Sequence, residues 1–103
     1  MLIVEQSPER AVLVAAAHDR DAVISGEESL AELERLSDTV GVTVTAKVLQ
    51  TVRRINPATF IGSGKVNDVK QLVQATTATT AIFDDELSPA QQRNLEKALG
   101  VKV

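Results

Sequence analysis

Ala11-Val12-Leu13-Val14-Ala15-Ala16-Ala17 is an unbroken apolar run, flanked by Arg10 and by His18-Asp19-Arg20-Asp21. A strand with one wet face alternates apolar and polar residues, whereas a short run with no polar break suits a strand covered on both faces of a parallel sheet. The run therefore predicts a first strand over Arg10 to Ala17 and an α/β fold. Downstream, Ser29 to Val40 sets Leu30, Leu33, Leu36 and Val40 at helical spacing. It opens on the capping box Ser29-Leu30-Ala31-Glu32 and stops at Gly41, which predicts the first helix. Val42, Val44, Ala46 and Val48 then alternate with Thr43, Thr45 and Lys47, the pattern of a second strand with a more polar face, suited to a sheet edge.

Asn56-Pro57 breaks the chain between Gln50 and Gly62 and makes this the longest predicted loop. Val66, Val69, Leu72 and Val73 form the stripe of a second helix, and a third strand is predicted from Thr80 to Asp84. Ser88 is an N-cap, Pro89 suits the first helical position, and Gln91 completes a second capping box. Leu95, Ala98 and Leu99 face inward before Gly100, so a third helix follows. Val101-Lys102-Val103 starts a fourth strand, and the sequence stopping there reads as a longer chain cut short. Right-handed crossovers then predict one domain over residues 1–103: a three-layer α/β/α fold with a four-stranded parallel sheet in the order 2-1-3-4 and three helices. The carboxyl ends of strands one and three, at His18-Asp19-Arg20-Asp21 and Asp84-Asp85-Glu86, would flank a ligand crevice.

With 103 residues the chain can bury one core. The absence of cysteine and the single His18 exclude a disulfide framework, a thiolate metal site and a histidine cluster. No window approaches the ~20 apolar residues needed to cross a bilayer, so no membrane partner is expected and a cytoplasmic setting fits. The net charge of −3 hides an asymmetry. Residues 47–70 hold Lys47, Arg53, Arg54, Lys65 and Lys70 against Asp68 alone, which leaves that segment at +4 and the remainder at −7. A local basic segment can contact phosphate even when the whole chain is acidic, although a solvated loop and helix face explains the same charges.

Gly64-Lys65 sits where a phosphate-binding loop would end, yet the G-x-x-x-x-G-K-[ST] pattern needs Gly at 59 and Ser or Thr at 66, where Thr59 and Val66 stand. What survives is a Gly62-Ser63-Gly64 turn whose amides, with Lys65, face an anion at a helix start. The competing explanation is glycine at a tight helix entry. Asp84, Asp85 and Glu86 are weak candidates for Mg²⁺ ligands or an acid/base pair, since carboxylates ahead of a helix are also favoured by its dipole. Phe83 reads as core, and Phe60 as an inward anchor for the basic loop rather than a stacking platform.

Two stretches carry a specific likeness. Asn56-Pro57-Ala58-Thr59-Phe60-Ile61-Gly62-Ser63-Gly64-Lys65-Val66 and Ile82-Phe83-Asp84-Asp85-Glu86-Leu87-Ser88-Pro89-Ala90-Gln91-Gln92-Arg93-Asn94-Leu95-Glu96 resemble signature stretches of the HflX family of GTPases, in the domain that precedes the GTP-binding domain. The resemblance spans roughly Glu9 to Val103. It implies a small parallel α/β subdomain, followed in the family by a helical pair and then the GTPase domain. It also implies association with the large ribosomal subunit and a part in splitting stalled or stress-damaged ribosomes. GTP and Mg²⁺ belong to the parent protein on this reading, and the missing helical and GTPase domains are expected partners.

The chain departs from the family in lacking a Walker A motif, an N-K-x-D motif and a switch region, so it is not itself expected to be an enzyme or to hold a cofactor. For this piece the resemblance implies a ribosome-facing module, with ribosomal RNA contacted through Arg53, Arg54, Gly62, Ser63, Gly64 and Lys65. The alternative is an adenine-nucleotide site, with ATP phosphates on the Gly-Ser-Gly-Lys turn and Mg²⁺ on Asp84 or Asp85. A third, purely structural role is packing against the absent domains.

Overall fold

The structure is a computed structural model and describes residues 9–17, 20–52 and 54–103. The central element is β1 (Arg10–Ala17), as the apolar run requires. It pairs in parallel on one side with β2 (Thr43–Thr51) and on the other with β3 (Thr80–Phe83). The helices α1 (Arg20–Thr39), α2 (Ser63–Ala75) and α3 (Pro89–Leu99) complete a chain order in which strand and helix alternate.

Side chains leave β1 on alternate faces, and each face has its own core. Val12 and Val14 pack with Val66, Val69 and Val73 of α2 and Leu95 and Leu99 of α3. Ala11, Leu13 and Ala15 pack with Leu30 of α1. The first crossover thus lies on one face and the second on the other, because the chain moves outward to β2 and then back past β1 to β3, and right-handed connections demand opposite faces for opposite directions. Both faces of β1 are dry, which is why its sequence shows no alternation.

The sheet has three strands in the order β2-β1-β3, not the expected four. Val101-Lys102-Val103 supplies only an isolated parallel bridge between Lys102 and Thr80. That bridge rests on the Lys102 carbonyl, which accepts from the Ala81 amide at 2.9 Å and the Thr80 hydroxyl at 3.0 Å. A strand needs successive paired residues, and one pair does not make a ladder.

The start of α1 also departs from expectation. Ser29 sits inside a helix that begins at Arg20, so Ser29-Leu30-Ala31-Glu32 is not a capping box. The buried Gly26 lies in the added portion, where a Cβ would fall 2.7 Å from Leu49 Cδ1 and push that side chain of β2 aside. Close approach of helix to sheet, rather than a helix boundary, accounts for this glycine. The α3 signals hold in full. Ser88 Oγ accepts from the Gln91 amide at 3.1 Å, and Gln91 Oε1 accepts from the Ser88 amide at 2.9 Å. Gly100 ends the helix at φ 74 in the left-handed region.

Candidate functional site

The segment that carries the candidate residues runs from the end of β2 into α2. Asn56 shapes it: its Oδ1 accepts from the amides of Ala58 at 2.8 Å and Thr59 at 3.3 Å, as an Asx turn does. The main chain then closes on itself, the Asn56 amide donating to the Phe60 carbonyl at 3.0 Å and the Phe60 amide to the Asn56 carbonyl at 2.8 Å. Phe60 takes φ 67, an uncommon conformation for a bulky residue, and the residue is only 5% exposed. With the fully buried Ile61 it pins the loop into the core beneath α2 and α3, the inward anchoring expected of it.

Directly after these anchors the chain emerges. Gly62, Ser63, Gly64 and Lys65 are all exposed, as is Arg54. Gly62 is the N-cap of α2 and has no side chain with which to cap, and the first intrahelical bond runs from the Val66 amide to the Gly62 carbonyl at 2.9 Å. The amides of Ser63, Gly64 and Lys65 therefore precede the helical ladder, in the partially positive first turn. No acidic residue lies in that turn. Neither glycine is needed for backbone reasons: Gly62 has φ −64, Gly64 has no positive φ, and a Cβ on either would meet no atom of the described residues within 4 Å. The tight-entry explanation does not apply to them.

Gly64→Ala is accordingly expected to stabilise the fold by ~0.5–1 kcal/mol, since it removes backbone entropy from the unfolded chain and adds a better helix former. A thermal melt checks this, and a lower Tm refutes it.

Among the described residues, no ion pair engages Arg54, Lys65 or Lys70. Lys47 is different. Its Nζ lies 3.0 Å from Glu34 Oε1 of α1, so this charge of the basic segment is already matched by a carboxylate. Arg53, His18 and Asp19 lie outside the described residues.

Asp84 and Asp85 are exposed at the end of β3. Asp84 lines a groove with Ser25, Glu28, Glu32 and Leu36 of α1, whereas α2, which carries Lys65, packs on the opposite face of the sheet. The structure thus does not bring the carboxylates and the Gly-Ser-Gly-Lys turn into one described cavity. No group of three or more metal-ligating side chains occurs among the described residues. A hollow of about 520 Å³ lined by Glu34, Arg35, Asp38 and Val42 opens near the amino end of β2, away from this turn.

Sequence reasoning missed two side chains that hold the loop from above. Gln91 Nε2 donates to the Asn56 carbonyl at 3.1 Å, and Asn94 Nδ2 donates to the Ala58 carbonyl at 2.9 Å. Gln91 was visible only as a capping residue. Its second bond has no local signal, because the acceptor lies far away in the chain.

Comparison with known proteins gives a consistent answer. The family described as GTP-binding GTPase N-terminal matches residues 27–103. The GTPase HflX of Lacrimispora saccharolytica is 42% identical over 103 residues, covering 100% of this chain and 24% of the relative. The GTPase HflX of Magnetococcus marinus is 37% identical over the same length, again with 24% of the relative covered. The GTPase HflX of Escherichia coli K12 is 36% identical over 95 residues, or 92% of this chain and 22% of the relative. The chain spans about a quarter of the length of these curated relatives. Matched over most of its length by the N-terminal model and over all of it by two of these relatives, the chain belongs to the family of N-terminal domains of HflX GTPases.

Proposed function

We propose that this domain is the ribosome-facing module of an HflX-type GTPase and that it grips phosphates of large-subunit ribosomal RNA through the rim formed by Arg53, Arg54 and the Gly62-Ser63-Gly64-Lys65 helix start. The parent protein would use GTP and Mg²⁺ in its remaining domains to split stalled ribosomes in the cytoplasm. This chain would bind and not hydrolyse, with those domains as its further partners. The observation that supports the reading is the pair of exposed glycines at an uncapped helix start beside a lysine that has no ion-pair partner among the described residues. Among the described residues nothing requires glycine there, whereas a phosphate approaching the Ser63, Gly64 and Lys65 amides would. The acidic remainder of the chain limits adhesion to RNA elsewhere on the surface.

The adenine-nucleotide alternative needs a carboxylate to hold Mg²⁺ beside the phosphates, and one of its two candidates, Asp84, opens instead toward α1. RNA phosphate needs no metal at this rim.

The test is a titration of the chain with fragments of large-subunit ribosomal RNA across a range of salt. Binding is expected to weaken linearly in log K against log salt, with a slope of roughly −2 to −4 for three to four phosphate contacts. Gly64→Ala is expected to weaken that binding while raising the Tm, because a methyl group there keeps a phosphate from the amides. Binding that is absent, or indifferent to salt, overturns the assignment.

A further inference from the structure

α3 buries Gln91, Leu95 and Leu99, a stripe at i, i+4 and i+8 that is apolar except at its first position. A buried polar side chain at the end of an apolar stripe is the informative exception. Gln91 uses one end of its amide for the cap, accepting from Ser88, and the other to donate to the Asn56 carbonyl. One turn further on, Asn94 is exposed and its amide donates to the Ala58 carbonyl. Both acceptors belong to the closed loop Asn56 to Phe60, which joins Arg54 to the Gly62-Ser63-Gly64-Lys65 turn.

We infer that Gln91 and Asn94 are positioning residues: from α3 they clasp the carbonyls of Asn56 and Ala58 and so fix the presentation of Arg54 and Lys65 to RNA phosphates. The inference rests on the RNA reading of this rim. Phe60 and Ile61 already anchor the loop, but apolar burial is non-directional and leaves its orientation free. Hydrogen bonds from a rigid helix supply direction. They also account for Phe60 at positive φ, since a residue in a sparsely populated region stays there only where its surroundings over-determine it. Phosphate contacts depend on the same fixing, because two cations on one segment meet two phosphates together only when the spacing between them holds.

Asn94 separates positioning from mere stability. Asparagine is a poorer helix former than alanine, so Asn94→Ala on this exposed site keeps or raises the Tm. The expected result is a Phe60 amide that exchanges with solvent about tenfold faster than in the unsubstituted chain, with β1 amides unchanged. Affinity for large-subunit RNA fragments falls roughly five- to tenfold, with a shallower salt slope. Gln91→Met, which keeps the bulk and loses both bonds, shows the same change more strongly, and Asn94→Ala carries the test if that variant fails to fold. Unchanged Phe60 exchange beside intact RNA binding overturns the clasp and leaves the RNA reading standing. Faster exchange in a chain whose unsubstituted form binds no RNA overturns the RNA reading and leaves the clasp standing.

Discussion

Leu95→Ala is expected to cost about 2–5 kcal/mol of stability, the range for deleting a fully buried leucine and leaving part of its cavity behind. Leu95 is 0% exposed and lies in the cluster formed by β1, α2 and α3. A domain of this size is stable by only ~5–15 kcal/mol, so the loss is a large part of the total. At roughly 4–8 °C per kcal/mol, the Tm should fall by ~10 °C or more. The contrast is Ile24→Ala on α1, where the side chain is 62% exposed and the change should stay within ~0.5 kcal/mol. Urea melts of both variants check this, and a Leu95→Ala midpoint that matches Ile24→Ala removes the two-faced core described above. Because α3 carries Gln91 and Asn94 as well as Leu95, the packing that holds the helix to α2 also sets the platform from which the rim loop is held.

The elements legible in the sequence were those whose reasons are local. β1 announced itself through an unbroken apolar run, and α3 through a cap, a proline and a glycine that all act within one turn of their positions. The edge placement of β2 followed from its alternation with threonine and lysine. What was not legible depends on distant partners. The true start of α1 was hidden because Ser29-Leu30-Ala31-Glu32 matches a capping box locally, whereas these residues lie inside a helix that begins at Arg20. The fourth strand was over-read because Val101 and Val103 have strand propensity, while pairing is a property of the neighbour and reaches only Lys102.

The candidate site divides in the same way. Gly62, Ser63, Gly64 and Lys65 were visible as a helix entry, and their exposure follows from the entry lying just beyond the buried Phe60 and Ile61. That Lys47 is matched by Glu34, and that Asp84 opens toward α1, required the fold. The part of the basic segment open to the proposed RNA contact is therefore shorter than its composition suggested. It is the rim near Arg54 and Lys65, together with its sequence neighbour Arg53.

Replacing Arg53, Arg54 and Lys65 together by alanine is expected to lower the affinity for large-subunit ribosomal RNA fragments by about two decades at ~0.1 M salt. The magnitude follows from counterion release. Each phosphate neutralised by a cation adds ~0.7 to ~0.9 to the slope of log K against log salt, so losing three flattens it by roughly 2–3. At one decade below ~1 M salt the same three contacts are worth about two decades in K, and near ~1 M the difference between variant and parent should nearly vanish. That convergence is the decisive feature, because a variant that merely unfolded would stay weaker at every salt concentration. The Arg54 and Lys65 replacements should hardly move stability, because both side chains are exposed and make no ion pair among the described residues. Lys47→Ala is the matched control, a cation of the same segment already paired with Glu34, and should leave the slope nearly unchanged. An intact slope in the triple variant would place the RNA contact, if the domain makes one, on some other face.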